Sequence, residues 1–217
     1  MATTKITKAA TAEIDHGLIG GGLEGDFGSE DLQTPYLKIL QPNSNSDLKR
    51  DHEGEFAIES LKLALGEEIK VIVITMRKLW QEVLSDADRK ADPSRFPTIF
   101  VNKQAGLEAC VEVTACAELD LAIVREKDES GYDTAMVKHE DVGLVMARYT
   151  VTGRSYKLAK SVFTASRMAG DSHISDHYFM FQAVEKPAFN MPYRVPMSSM
   201  GEAVPKDLQK KILESIG

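Results

Sequence analysis

The chain has very little with which to bind a metal or form a cross-link. Its two cysteines, Cys110 and Cys116, fit no Cys-x-x-Cys or zinc-finger spacing. Six residues apart on one strand, they would share a face yet lie too far apart to bridge, at about 3.3 Å per residue. They read as buried, reduced thiols in a reducing compartment. No apolar run is long enough to span a bilayer. Thr, Lys, Glu and Asp interrupt the N-terminal stretch where a signal peptide would need an apolar core. The expected location is the cytoplasm, with no membrane association. Serine nucleophile elbows, phosphate-binding glycine loops and dinucleotide fingerprints are also lacking. The run Gly20-Gly21-Gly22 follows no strand and opens no strong helix. No cofactor is expected.

Net positive charge is lacking too: 26 Lys+Arg stand against 33 Asp+Glu, a net of -7. That balance argues against simple phosphate binding, but the distribution is uneven. Residues 1–141 hold 16 cations and 27 acids, a net of -11. Residues 142–200 hold seven cations (Arg148, Arg154, Lys157, Lys160, Arg167, Lys186, Arg194) and three acids (Asp171, Asp176, Glu185), a net of +4. Local field rather than total charge decides where a polyanion docks. Within this window the stretch 148–167 carries five cations and no acid, interleaved with Tyr149, Tyr156 and Phe163. Cations for phosphates and flat rings for unstacked bases suit a single-stranded nucleic acid. The competing account is a strand followed by an amphipathic helix with a solvated basic face.

At 217 residues the chain can bury a core without staples. Residues 1–34 read as a frayed arm, with room for a short helix around Glu13–Ile19. Short strands are expected at Tyr36–Leu40 and Gly54–Ile58. A strong strand runs from Glu68 to Leu84, apolar on both faces around Val71–Val73. Residues 85–97 read as a charged connection and 98–101 as strand. Residues 109–124 read as one long strand or two, bent near Ala115–Ala117, with helix open for part of it. After a turn at 125–133, two short apolar runs lead into a strand at Met146–Val151. From Ser155 to Met168 a helix fits, ended by Gly170. In it Tyr156, Ala159, Val162, Phe163 and Ser166 would share one side and the cations the other. Tyr178–Val184 reads as an aromatic strand, with packing into the core set against one face left available to bases. Lys186–Pro196, with three prolines, reads as an extended surface segment. A helix behind Pro205, with Leu208, Ile212 and Ile216 on one stripe and Leu213 beside them, closes the chain.

Other chemistry is weaker. His173 and His177 would face one way on a helix, as metal ligands must, but no third ligand accompanies them and the segment reads as a loop. Glu118 and Asp120, with Glu126 and Lys127, invite a metal-dependent nuclease in no familiar spacing. Trp80 beside Arg77 and Lys78 offers a second stacking surface, though a lone tryptophan reads first as a core or rim anchor.

Several motifs together carry a resemblance. They are Pro35-Tyr36-Leu37-Lys38-Ile39-Leu40-Gln41, a Gly-Glu-Phe turn at 54–56, a strand ending Arg77-Lys78-Leu79-Trp80, Ala147-Arg148-Tyr149-Thr150-Val151-Thr152-Gly153, and Met191-Pro192-Tyr193-Arg194-Val195-Pro196 before a last helix. In this pattern the chain resembles tailed-phage single-stranded DNA-binding proteins, in particular the Drc-type cofactors of lytic podoviruses. The resemblance implies single-stranded DNA binding, recruitment of a phage RNA polymerase to opened promoters, and a fold unlike the usual oligonucleotide-binding barrel. It would place the protein in a host cytoplasm.

The expectation is therefore an α+β fold: a largely antiparallel sheet, a C-terminal helix, and a basic helix or hairpin near 148–168, in a single domain over 35–217. The expected function is non-catalytic single-stranded DNA binding, with self-association along the strand. The DNA-binding candidates are Arg148, Arg154, Tyr156, Lys157, Lys160, Phe163, Arg167, Lys186, Tyr193 and Arg194. A nuclease or recombination enzyme and a protein-only adaptor are the alternatives.

Overall fold

Long β-branched and aromatic stretches form the main strands of the chain. The computed structural model describes residues 34–92, 95–109, 111–187 and 192–216. The expected N-terminal arm (Thr34 apart), Cys110 and the side chain of Ile216 lie outside them. Residues Thr34–Gly217 cluster as one unit. The strands are β1 (Leu37–Ile39), β2 (Phe56–Ile58), β3 (Leu63–Gly66), β4 (Glu68–Glu82), β5 (Ile99–Phe100), β6 (Val113–Glu126), β7 (Val137–His139), β8 (Val142–Thr152), β9 (His177–Lys186) and β10 (Tyr193–Ala203). The helices are α1 (Lys49–His52), α2 (Asp86–Ala91), α3 (Lys103–Glu108), α4 (Tyr156–Ala169) and α5 (Lys206–Ile216).

The architecture is α+β with antiparallel sheets. A seven-stranded sheet runs β10-β9-β4-β6-β8-β7, with β5 paired to β4, and a small sheet runs β1-β2-β3. One face of the large sheet contributes Ile69, Val71, Val73, Leu119, Leu121, Ile123, Phe179 and Phe181 to the main core. The small sheet covers it with Phe56 and Ile58, and α4 covers it with Leu158, Ala159 and Val162. Helix α4 touches both the edge strand β10 and the interior strands β6 and β8. The sheet therefore curls around the helix, although β10 and β6 lie three positions apart in it. The opposite face carries a second cluster, where Ile72, Ala122, Leu144 and Tyr178 meet Val204, Leu208 and Ile212 around α5.

One irregularity decides which side chains reach α4. Val73 pairs with Leu121, but Thr75 pairs with Asp120, so β4 holds one extra residue at this point. A bulge of this kind switches the faces of every residue beyond it. Met76, Lys78 and Trp80 consequently lie opposite Leu119, Ala117 and Ala115 on the α4 face. Thr75 and Arg77 go to the far face.

The edge strand β10 is blunted in two ways. The Gln41 amide donates to the Arg194 carbonyl at 2.7 Å and accepts the Arg194 N–H at 2.8 Å, acting as a one-residue strand. Pro196, two residues on, has no N–H to expose on the same edge.

Several expectations need correction. Residues 193–196, expected as part of an extended surface segment, are extended but paired, as the start of the edge strand β10. The aromatic strand β9 offers no open ring, because Phe179 and Phe181 are fully buried in one core and Tyr178 is buried in the other. Tyr149 is buried against Phe56, ring centroids 6.3 Å apart in an edge-to-face pair. The bend expected in β6 is absent, and the irregularity sits in its partner β4. The charged connection at 85–97 holds α2, started by a reciprocal capping box between Ser85 and Asp88. Helix α4 does end at Gly170, whose φ of 78° suits a residue without Cβ.

Leu158 anchors α4 in the core, fully buried at 1% exposure. Replacing it with Ala removes buried methyls, at a cost of about 2–5 kcal/mol. Urea denaturation followed by far-UV circular dichroism will register this as a lower midpoint at unchanged slope.

Candidate nucleic-acid interface

Helix α4 is positioned by a buried stripe of Leu158, Ala159, Val162 and Ser166. The expected stripe included Phe163 and Tyr156, but Leu158 draws the helix round. Phe163 is therefore half exposed, at 50%. Tyr156 is partly buried and packs against the core rim. At 3.6 residues per turn, Tyr156, Lys160, Phe163 and Arg167 fall in one sector, spaced four, three and four residues apart. Within it Lys160 Nζ sits 5.4 Å from the Tyr156 ring centroid and the Arg167 guanidinium 5.4 Å from that of Phe163.

This flank faces a trough. Its first part, about 300 Å³, is lined by Met76, Lys78, Ala117, Tyr156, Lys160 and Phe163. A second part, about 230 Å³, is lined by Met76, Phe163, Arg167, Ser172, His173 and Ile174. Phe163 and Met76 belong to both, so the half-exposed ring stands where the two parts join. The small side chain of Ala117 leaves the floor low beneath Lys78.

The other flank faces the edge strand. A groove of about 250 Å³ there is lined by Arg154, Lys157, Ser161, Lys186, Val195 and Met197. Arg154 lies 5.1 Å from the Tyr193 ring centroid and donates a hydrogen bond to its hydroxyl. Of the candidates, Arg154, Tyr156, Lys157, Lys160, Phe163, Arg167, Lys186 and Tyr193 thus gather around one helix.

The remaining two are engaged elsewhere. Arg148 Nε donates to Asp120 at 2.8 Å and lies 3.5 Å from Glu118. Arg77 bridges the same carboxylates at 2.6 and 3.3 Å, and Thr75 donates to Asp120 at 2.8 Å. Burial alone would push the Asp120 carboxyl up. Hydrogen bonds from Arg148 and Thr75, with the charges of Arg148 and Arg77, outweigh it and hold the group below the ordinary aspartate range. This network occupies the far face of β6. Arg194 is tied to Glu67 at 3.1 Å, Glu185 at 3.5 Å and the Ala183 carbonyl at 3.1 Å. By contrast, none of Arg154, Lys157, Lys160, Arg167 and Lys186 forms an ion pair within 4 Å among the described residues.

The two histidines considered as ligands are separated by a short 3-10 turn. His173 precedes it, and His177 opens β9 with Nδ1 3.1 Å from Asp171. Among the described residues no three His, Cys, Asp or Glu side chains converge as metal ligands would. No helix among them is long and apolar enough to cross a membrane. Comparison with known proteins adds no neighbour: no protein-family model, curated protein or solved structure matches the chain.

Met76, Lys78 and His173 line the trough; the sequence named none of them as a DNA contact beside α4, Lys78 only as a neighbour of Trp80 and His173 only as a candidate metal ligand. Alternation along β4 counted from Val73 puts Thr75 and Arg77 on the α4 face instead. Only the bulge corrects the count, and no residue type announces it.

Arg148→Ala tests the network. The Arg148–Asp120 pair is part-buried at the surface, its side chains 29% and 23% exposed, and Asp120 keeps Arg77 and Thr75, so a loss of about 1 kcal/mol of stability is expected at neutral pH. A carboxylate with a lowered folded pKa stabilises above its unfolded value, and that stabilisation is lost as pH falls through the folded one. The gap between the two proteins should therefore close in acid, below the ordinary aspartate range. A gap that widens on acidification contradicts the assignment.

Proposed function

We propose that this protein binds single-stranded DNA along both flanks of α4, without cleaving it. The observation that carries the reading is a helix with three cations, flanked by Arg154 and Lys186, none of the five ion-paired among the described residues, in a chain of net charge -7. Unpaired cations leave their charge available to phosphates, and release of condensed counterions drives association. Phe163, half exposed where the two parts of the trough join, is the best stacking surface, with Tyr156 and Tyr193 beside it. Arg148 and Arg194 are left out of the site because their charge is already matched. The carboxylates that invited metal chemistry, Glu118 and Asp120, are matched by Arg77 and Arg148, which favours a binder over a nuclease.

Recruitment of a phage RNA polymerase to opened promoters rests on the resemblance alone. Self-association along the strand rests on the general behaviour of strand-coating proteins.

Fluorescence anisotropy with a labelled oligothymidylate over a salt series tests the reading. Lys157→Ala with Lys160→Ala should weaken binding and lower the slope of log K against log salt by about 1.4, at ~0.7 per phosphate contact on a single strand. Phe163→Ala should cost about 1–3 kcal/mol at fixed salt. No binding by the wild-type chain at about 50 mM salt would overturn the proposal. In a second assay the oligonucleotide should stay intact with Mg²⁺ or Mn²⁺ added. Cleavage would turn the reading to an enzyme.

A further inference from the structure

Lys78 lines the trough and also leads to a further aromatic. Beyond it on the same face of β4 stands Trp80, two residues on and so about 6.6 Å further along the strand. Its cross-strand neighbours are Ala115 on β6 and Phe100 on β5. Two ammonium groups from different elements approach the ring: Lys78 Nζ at 5.2 Å from its centroid and Lys103 Nζ, from α3, at 5.8 Å. Both lysines are exposed, and neither forms an ion pair within 4 Å among the described residues.

Lys103 is held there by a close approach. Gly106, one turn on in α3, is buried, and a Cβ built on it would meet the Val113 side chain at 2.4 Å. Only a glycine lets α3 sit this close to the start of β6. The helix itself begins on the Asn102 side chain, which accepts the Ala105 N–H at 2.8 Å.

We infer that Trp80, with Lys78 and Lys103, is a further base-stacking subsite, which receives a nucleotide of a single strand already held in the trough beside α4. This inference rests on the proposed DNA-binding function. An indole gives a stacking surface that any base can use. When a base stacks on it, the two ammonium groups move from the ring to the flanking phosphates, which they attract more strongly than a π-face. Lys78 lines the α4 trough as well as touching the indole, so it joins the subsite to the rest of the path.

Trp80 is the single tryptophan of the chain, so its emission reports on this subsite alone. The full-length protein is titrated with labelled oligothymidylates of about 4 and about 16 nucleotides, the limits of a typical single site. Anisotropy measures binding and tryptophan emission measures stacking. The longer strand should quench Trp80 with the same midpoint as its anisotropy change. Trp80→Ala should weaken binding of the longer strand about tenfold, affect the shorter one far less, and leave Trp80→Phe close to wild type. Binding by anisotropy with unchanged emission, and equal affinity of Trp80→Ala for the longer strand, would overturn the subsite and leave the α4 site standing. Absence of binding by either strand would overturn the α4 site itself. If Trp80→Ala does not fold, Lys78→Ala with Lys103→Ala, both on the surface, decides the matter. The salt slope for the longer strand should fall by about 1.4, and an unchanged slope overturns the subsite.

Discussion

The register of β4 against β6 is the constraint on which the functional surface depends. Strand β4 must bury Val71, Ile72 and Val73 on both faces at its centre and then leave the core for solvent. The extra residue between Val73 and Thr75 accomplishes the change. It turns Met76, Lys78 and Trp80 toward α4 and sends Thr75 and Arg77 to the opposite side. Without it, Arg77 would stand beside the cations of α4, and Glu118 and Asp120 would lose one of their two arginine partners.

That division sorts the charges of the molecule. On the far face two arginines meet two carboxylates, and their fields largely cancel. Around α4 none of the cations is ion-paired among the described residues, and Asp171, which shares the trough with Arg167, is turned to His177, so a positive field survives locally in an acidic protein. The distinction is between charges used inside the fold and charges left over. Arg148 and Arg194 look like Arg154 and Arg167 in the sequence and differ only in what their neighbours supply.

Legibility in the sequence followed the length of each pattern. The long strands β4, β6 and β9 and the second half of β8 were readable from β-branched and aromatic runs, whereas β10, eleven residues long, was not, because Pro192 and Pro196 masked it. Helix α4 was readable from its spacing and its terminal glycine, and α5 from its four-residue repeat. The short helices α1, α2 and α3 were not, because a helix of four or six residues has too few positions to display a period. In α4 the buried stripe was read nearly one residue off. Choosing between Phe163 and Leu158 as the inward side chain depends on the shape of the sheet beneath, and the winning residue was the one that fits the curl between β10 and β6.

The sequence by itself determined the α+β class, the antiparallel strands and the concentration of cations and aromatics after residue 142, because these follow from side-chain type and local spacing. Only the tertiary structure decided which aromatics are covered and which cations are neutralised. Tyr149, Tyr178, Phe179 and Phe181 went into the cores, while Phe163 stayed half exposed. Burial and pairing depend on residues far apart in the chain, brought together here by a register shift that no local pattern encodes.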